Sequence, residues 1–287
     1  MQLDLPFVAQ RWRERRQSYR PQREPLDPRR YGVVRLSGAA EARGFVVRHH
    51  YSGSYPVAIA AYGLMEARRN RSAELVGVAV FSVPVQPRAA DAYGASGARS
   101  CDLGRFLLLD HVPGNAETWF LRRALAGLGQ DKTGDDGRPL YSVCLAYSDP
   151  VPRVDRDGQV TFAGHYGGIY AASSALYLGR ATARTLWLAD DATVISSRAL
   201  MKLKHGDTGA RYAYETLRRH GAPPLAAGET GGAYIERALR DGPFRRLRHR
   251  GNHVYAFPCG STTTRRAVRS RMATGLPYPA RTDAPRP

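Results

Sequence analysis

Apolar positions in this chain fall in short runs broken by polar and glycine-rich turns, a spacing that predicts strands more often than long helices. The continuous β-branched run at 75–85 predicts a buried strand, and 101–110 a second. The run at 141–147 ends in Ser148-Asp149-Pro150 and predicts a buried strand that stops at a polar tip. Other stretches carry the helical period. Residues 119–128 are amphipathic behind Asn115, a suitable N-cap, and 58–66 have helix-like composition before a polar turn at 68–71. After the Gly164–Gly168 turn, 169–177 predict a helix closed by Gly179. Residues 184–188 predict a short strand, and 190–193 a turn. Two basic helices follow, one capped by Ser196 or Ser197 and carrying Arg198, Lys202 and Lys204, the other spanning 209–220 and stopped by Gly221 with Pro223 beyond. Residues 244–257 read as a basic loop entering a last strand.

That order predicts an α/β (α+β) protein: a mixed, mostly antiparallel sheet with helices on both faces, plus a basic helical hairpin at 196–221. The arginine-rich segment 1–30 predicts a mobile arm, 31–260 one domain, and 261–287 a basic disordered tail. No apolar run approaches the ~20 residues of a membrane span, so the expected location is the cytoplasm, with no membrane partner.

Charge sharpens the picture. Over 287 residues the formal net charge is +18, and of 43 basic residues all but Lys132, Lys202 and Lys204 are arginine. Arginine suits bidentate contact with phosphate, which points to nucleic acid as the partner. The helical hairpin (Arg198, Lys202, Lys204, Arg211) and the loop at Arg245, Arg246 and Arg248 are the candidate DNA-facing surfaces. Three cysteines, Cys101, Cys144 and Cys259, lack C-x-x-C spacing and give no zinc knuckle or disulfide framework.

Candidate chemistry gathers in two places. The strand tip and the helix start at 148–170 bring Ser148, Asp149, His165 and Tyr170 close in the chain. An upstream loop, His49-His50-Tyr51-Ser52-Gly53, supplies a second cluster. A third feature, strand 101–110, loop 111–115 and the following helix N-terminus, offers backbone N–H groups to an anion.

These motifs in their order resemble one family. His50-Tyr51-Ser52-Gly53, Leu103-Gly104-Arg105 with Asn115, Tyr147-Ser148-Asp149, Gly164-His165 with Gly168-Ile169-Tyr170, and Tyr177-Leu178-Gly179 are similar to the phage Mom family. So are Ser197-Arg198 with Lys202 and Gly209-Ala210-Arg211-Tyr212-Ala213. The resemblance covers roughly 45–257. It implies a GNAT-like acyltransferase fold and modification of the exocyclic amine of adenine in double-stranded DNA, with a methylcarbamoyl-type adduct that blocks host restriction. Two departures stand out. His111–Ala116 replaces the usual GNAT phosphate loop, and Ala171-Ala172-Ser173-Ser174-Ala175 replaces the family's Gln-Ala-Ser-Asn-Trp.

The resemblance sets the roles to be tested. Asp149 is the expected general base, with His165, Ser148 and Tyr170 beside it. His50, Tyr51, Ser173 and Tyr177 are expected to line the substrate pocket. Arg105, Asn115 and Thr118 are the expected contacts to the phosphates of an acyl-CoA thioester such as acetyl-CoA. Iron is associated with the family, and His50, Tyr51, Asp149 and His165 are the ligands to test, although no metal spacing demands it. Two rivals are an N-acetyltransferase acting on a small amine or protein, and a DNA-binding protein without catalysis.

Overall fold

The apolar run at 75–85 becomes a strand covered on both faces: every residue from Val76 to Ser82 is buried. A continuous rather than alternating apolar pattern is what two-sided burial requires. In the computed structural model, residues 8–21, 24–95, 99–165, 167–272 and 276–279 are described. The first half runs β1 (Val8–Arg13), β2 (Arg16–Pro21), β3 (Tyr31–Arg35), α1 (Ala39–His49), β4 (Ala58–Arg68), β5 (Arg71–Ser82), β6 (Ser100–Leu108) and α2 (Ala116–Asp131). Next come β7 (Val143–Ser148), β8 (Arg153–Val154), β9 (Val160–Phe162), α3 (Gly168–Ala172), β10 (Leu176–Arg180), β11 (Arg184–Leu188) and β12 (Val194–Ile195). The chain continues with α4 (Ser197–His205), α5 (Ala210–Arg219), α6 (Gly231–Asp241), β13 (Arg245–His249), β14 (His253–Pro258) and α7 (Thr262–Arg271).

These elements form a mixed, mostly antiparallel α+β protein, and they divide into two compact units where one domain over 31–260 was expected. The first comprises 1–148, 167–179 and 253–279. Its sheet has the order β10-β14-β7-β6-β5-β4-β3, and the hairpin β1-β2 is separate. Of the pairings within this sheet whose direction is recorded, only β6–β7 is parallel. It lasts three residue pairs and ends at Asp102 opposite Leu145. Past that point the rest of β6 and the tip of β7 share no ladder. Phe81, Phe120, Leu121, Leu128 and Tyr255 lie in the core beneath.

The second unit comprises 149–166, 180–252 and 280–287. It holds the three-stranded sheet β12-β11-β13, the pair β8-β9, and the helices α4, α5 and α6. Leu217, Tyr234 and Ala238 from the helices pack with Ala189 and Ile195 into its own core.

Several elements differ from the sequence expectation, each for a physical reason. The 58–66 stretch, rich in helix-favouring Ala, Leu, Met and Glu, is β4. It is hydrogen-bonded to β3 on one side and β5 on the other, and burial overrides a weak local propensity. The helix expected over 169–177 stops at Ala172 because Ser174 adopts φ 60°, and 176–180 extend as β10. The expected mobile arm contains the hairpin β1-β2, with Arg11 fully buried, while residues 1–7 of it lie outside the described residues. The expected disordered tail contains α7, capped by the Ser261 hydroxyl, which accepts from Thr264 N–H. Residues 280–287 of that tail lie outside the described residues. Helix α6 has no counterpart in the sequence reading. Asn115 does precede α2, but its side chain makes no capping bond.

Candidate active site

The first unit places a buried aromatic and polar cluster on β7, α3, β10 and β14. Gly167 opens α3 at φ 72°, and a Cβ there would lie 2.5 Å from the Tyr255 ring and 2.8 Å from that of Tyr170. Only glycine lets the backbone come this close. The Tyr170 and Tyr255 rings are 5.2 Å apart, and Tyr177 stands 5.3 Å from Tyr255. The Tyr177 hydroxyl lies 2.7 Å from His253 Nδ1. His253 sits opposite the fully buried Ser148 in the β14–β7 ladder, so Ser148, Tyr177 and His253 converge at the β7 tip. Burial pushes the phenols of Tyr170 and Tyr255 up, so both stay protonated at neutral pH and can donate but not act as bases. Of the sequence candidates, this cluster unites Ser148, Tyr170 and Tyr177. It adds His253 and Tyr255, which the sequence reading missed. Their alternation along the final strand (His253, Tyr255, Phe257) was the available signal. Ser173 is half-buried behind α3, and its hydroxyl finds no partner among the described residues.

The His50 loop is built on the end of α1. The His50 and Tyr51 rings are 4.3 Å apart, and Trp12 of β1 lies 5.1 Å from Tyr51. Ser52 N–H donates to His50 Nδ1 at 3.2 Å, so a neutral His50 carries its proton on Nε2. Arg105, expected at a donor phosphate, is spent on this loop: its Nε donates to Ser54 O at 3.0 Å and an Nη to Ser54 Oγ at 2.8 Å.

The N-terminus of α2 is likewise taken. Gly114 N–H donates to a carboxylate oxygen of Glu24 at 3.1 Å, and Arg20 holds that carboxylate from the other side. Arg11 reaches in from β1, donating to Val112 O at 3.1 Å, to Pro113 O at 2.8 Å and to the Glu117 carboxylate. Burial pushes the Glu117 carboxyl up in spite of Arg11. Asn115 is exposed, and the Thr118 hydroxyl only reaches back to Asn115 O at 3.4 Å. Two internal carboxylates thus occupy the positive end of α2, where an anionic ligand would be drawn. The residues present do not fit the pyrophosphate of coenzyme A.

Asp149 begins the second unit. His249 Nε2 lies 2.8 Å from Asp149 Oδ1, which also accepts from Val151 N–H at 3.0 Å, while Arg153 bonds the other oxygen. Because Gly251 N–H donates to His249 Nδ1 at 3.0 Å, the neutral imidazole must carry its proton on Nε2 and give it to Asp149. Burial pushes the Asp149 carboxyl up, but the His249 bond, the Arg153 charge and the Val151 N–H outweigh it and hold the group below its ordinary range. A carboxylate so held is a weak proton acceptor, and its contacts give Asp149 an anchoring place in the second unit beside the general-base role expected of it. His165, expected beside it, is tied to it through the backbone, its main-chain N–H donating to Asp149 O at 2.7 Å. Both Asp149 oxygens being spent, the expected iron ligand set does not fit. Among the described residues no group of three His, Cys, Asp or Glu is placed to hold a metal.

The candidate DNA-facing residues also lie in the second unit. Arg198, Lys204 and Arg211 are exposed on α4 and α5, Lys202 is half-buried, and Arg211 pairs with Glu215 at 2.7 Å. On β13, Arg246 and Arg248 are exposed on one face. Arg245 turns the other way and bonds Val154 O.

No described helix is long and apolar enough to cross a membrane. Comparison with curated proteins gives no match. The sequence profile of the Mom protein family matches residues 33–228, which contain the His50 loop, β6, the start of α2, the β7 tip and the α4–α5 hairpin. With more than half its length matched in this way, the chain belongs to the Mom protein family.

Proposed function

We propose that this protein is a DNA-modifying enzyme that transfers an acyl-type group to the exocyclic amine of adenine in double-stranded DNA, shielding phage DNA from host restriction. The match to the Mom family over 33–228 carries the reading. The charge of +18 supports a polyanionic substrate. In a duplex the adenine amine is stacked and paired, so the base must first be flipped out. Its nitrogen then attacks the carbonyl carbon of the donor. The N–C bond forms, the donor's leaving group departs with its electron pair, and one amine proton must be taken up. The Tyr177–His253 pair supports a route for that proton, from the amine to the Tyr177 oxygen while the phenol proton passes to His253 Nδ1. Tyr170, kept protonated by burial, is suited to donate to the carbonyl oxygen as charge develops there. The carrier of the acyl group is left open, because the α2 terminus does not fit coenzyme A.

Plasmid DNA recovered from expressing cells tests the reading. It should resist endonucleases whose sites contain adenine, and Tyr177→Phe should restore cutting. Full cutting in the presence of abundant folded wild-type protein would contradict it. DNA binding that persists alongside full cutting would favour a binding protein built on the α4–α5 hairpin.

A further inference from the structure

Many arginines here are already engaged in ion pairs. Arg11, Arg13, Arg20, Arg30, Arg48, Arg68, Arg153 and Arg237 each have a carboxylate within 4 Å. Helix α7 gathers four that are not. Its sequence, TTTRRAVRSR, has no acidic residue, and none of Arg265, Arg266, Arg269 and Arg271 has a carboxylate partner among the described residues. The helix is attached by one side, through buried Val268 and Met272, and all four guanidinium-bearing residues are exposed. Positions 262, 265, 266 and 269 share one face at helical spacing. With Pro258 at the end of β14, Thr262, Arg265, Arg266 and Arg269 line a concavity of about 210 Å³. That is below the ~300–1,000 Å³ of small-molecule sites, and its walls carry three positive charges. Like charges at i and i+4, as Arg265 and Arg269 are, disfavour a free helix by a few tenths of a kcal/mol, and an anion laid across them would relieve this.

We propose that α7 is a phosphate-backbone docking element for duplex DNA, with Arg265, Arg266 and Arg269 cradling successive phosphates. It lies outside 33–228, so it supplements the family-matched region rather than repeating it. The contacts are to phosphate and therefore independent of base sequence. The inference rests on DNA being the substrate, as proposed above, and the test separates the two.

The experiment measures binding of the full chain to a fluorescent 20-base-pair duplex across a salt series. It compares wild type, Arg265→Gln/Arg266→Gln/Arg269→Gln and Arg265→Lys/Arg266→Lys/Arg269→Lys. Each phosphate contact contributes about 0.9 to the slope of log K against log salt. Loss of three should flatten the slope by about 2.7, equally for duplexes of unrelated sequence. The lysine variant should keep most of the slope, which excludes misfolding as the cause. An unchanged slope and affinity in the glutamine variant, with wild type binding normally, overturns the α7 proposal and leaves the modification reading intact. No DNA binding by wild type overturns both.

Discussion

Asp149 and Asp102 are both buried carboxyls at strand ends, and their surroundings drive them in opposite directions. Asp149 has His249, Arg153 and Val151 N–H about it, and its folded pKa lies below the ordinary value. Its contribution to stability is therefore complete above the ordinary carboxylate range and is lost as pH falls through the folded value. Removing it strands a fully buried imidazole and a nearly buried guanidinium. Asp149→Ala should cost roughly 3–5 kcal/mol, read as a fall in unfolding free energy by urea titration. A loss of activity at unchanged stability would instead favour the role of base. Asp102 has no ion-pair partner among the described residues, only a backbone N–H from Val85, and burial pushes its pKa to about 6. A raised carboxyl favours the folded state below its unfolded pKa and penalises it as pH rises through the folded one. Asp102→Asn should therefore be more stable than wild type at pH 7.5, by at most about 3 kcal/mol, and the gap should close toward pH 4. A gap that does not vary with pH would refute this. Neither environment was legible in the sequence. Asp149 was visible as a polar strand tip, but its main partner, His249, lies 100 residues away. Asp102 looked like one polar residue in a strand.

The N-terminal hairpin and α2 act together at the scale of elements. Arginine density at 1–30 predicts a mobile basic arm, yet Arg11 is fully buried and joined to Glu117, 106 residues on. Local patterning carries no signal for a pairing of that range, because a buried arginine is tolerated only once its acceptors are assembled. The consequence is a filled anion site at α2. Acetyl-CoA at millimolar concentration should leave the thermal midpoint of the protein unchanged, since a ligand that binds only the folded state must raise it. A concentration-dependent rise would show that coenzyme A enters after all. Strands β5, β6, β7 and β11 and helices α4 and α5 were legible, because long apolar runs, capping serines and glycine stops are local signals. Strands β4 and β10 were not. Their extended form comes from neighbours supplied by distant parts of the chain.

For the whole molecule, the sequence order of motifs led to the right family and to an α+β fold, while the division into two units stayed hidden. A chain that leaves the first unit at 148, returns for 167–179 and returns again at 253 leaves no linker for composition to reveal. The excess of arginine was legible as a preference for polyanions. Which arginines are available was not, because ion pairing neutralises many of them in the fold. Nor could the tail be recognised as α7, whose stability depends on burying Val268 and Met272. Chemical alteration of adenine in DNA is read most directly by mass spectrometry of nucleosides from DNA of cells expressing the protein. A fraction of deoxyadenosine should be replaced by a heavier nucleoside whose added mass resides on the base, and this nucleoside should be lost in Tyr177→Phe. Unmodified deoxyadenosine throughout, from cells holding abundant folded protein, would contradict the proposed modification.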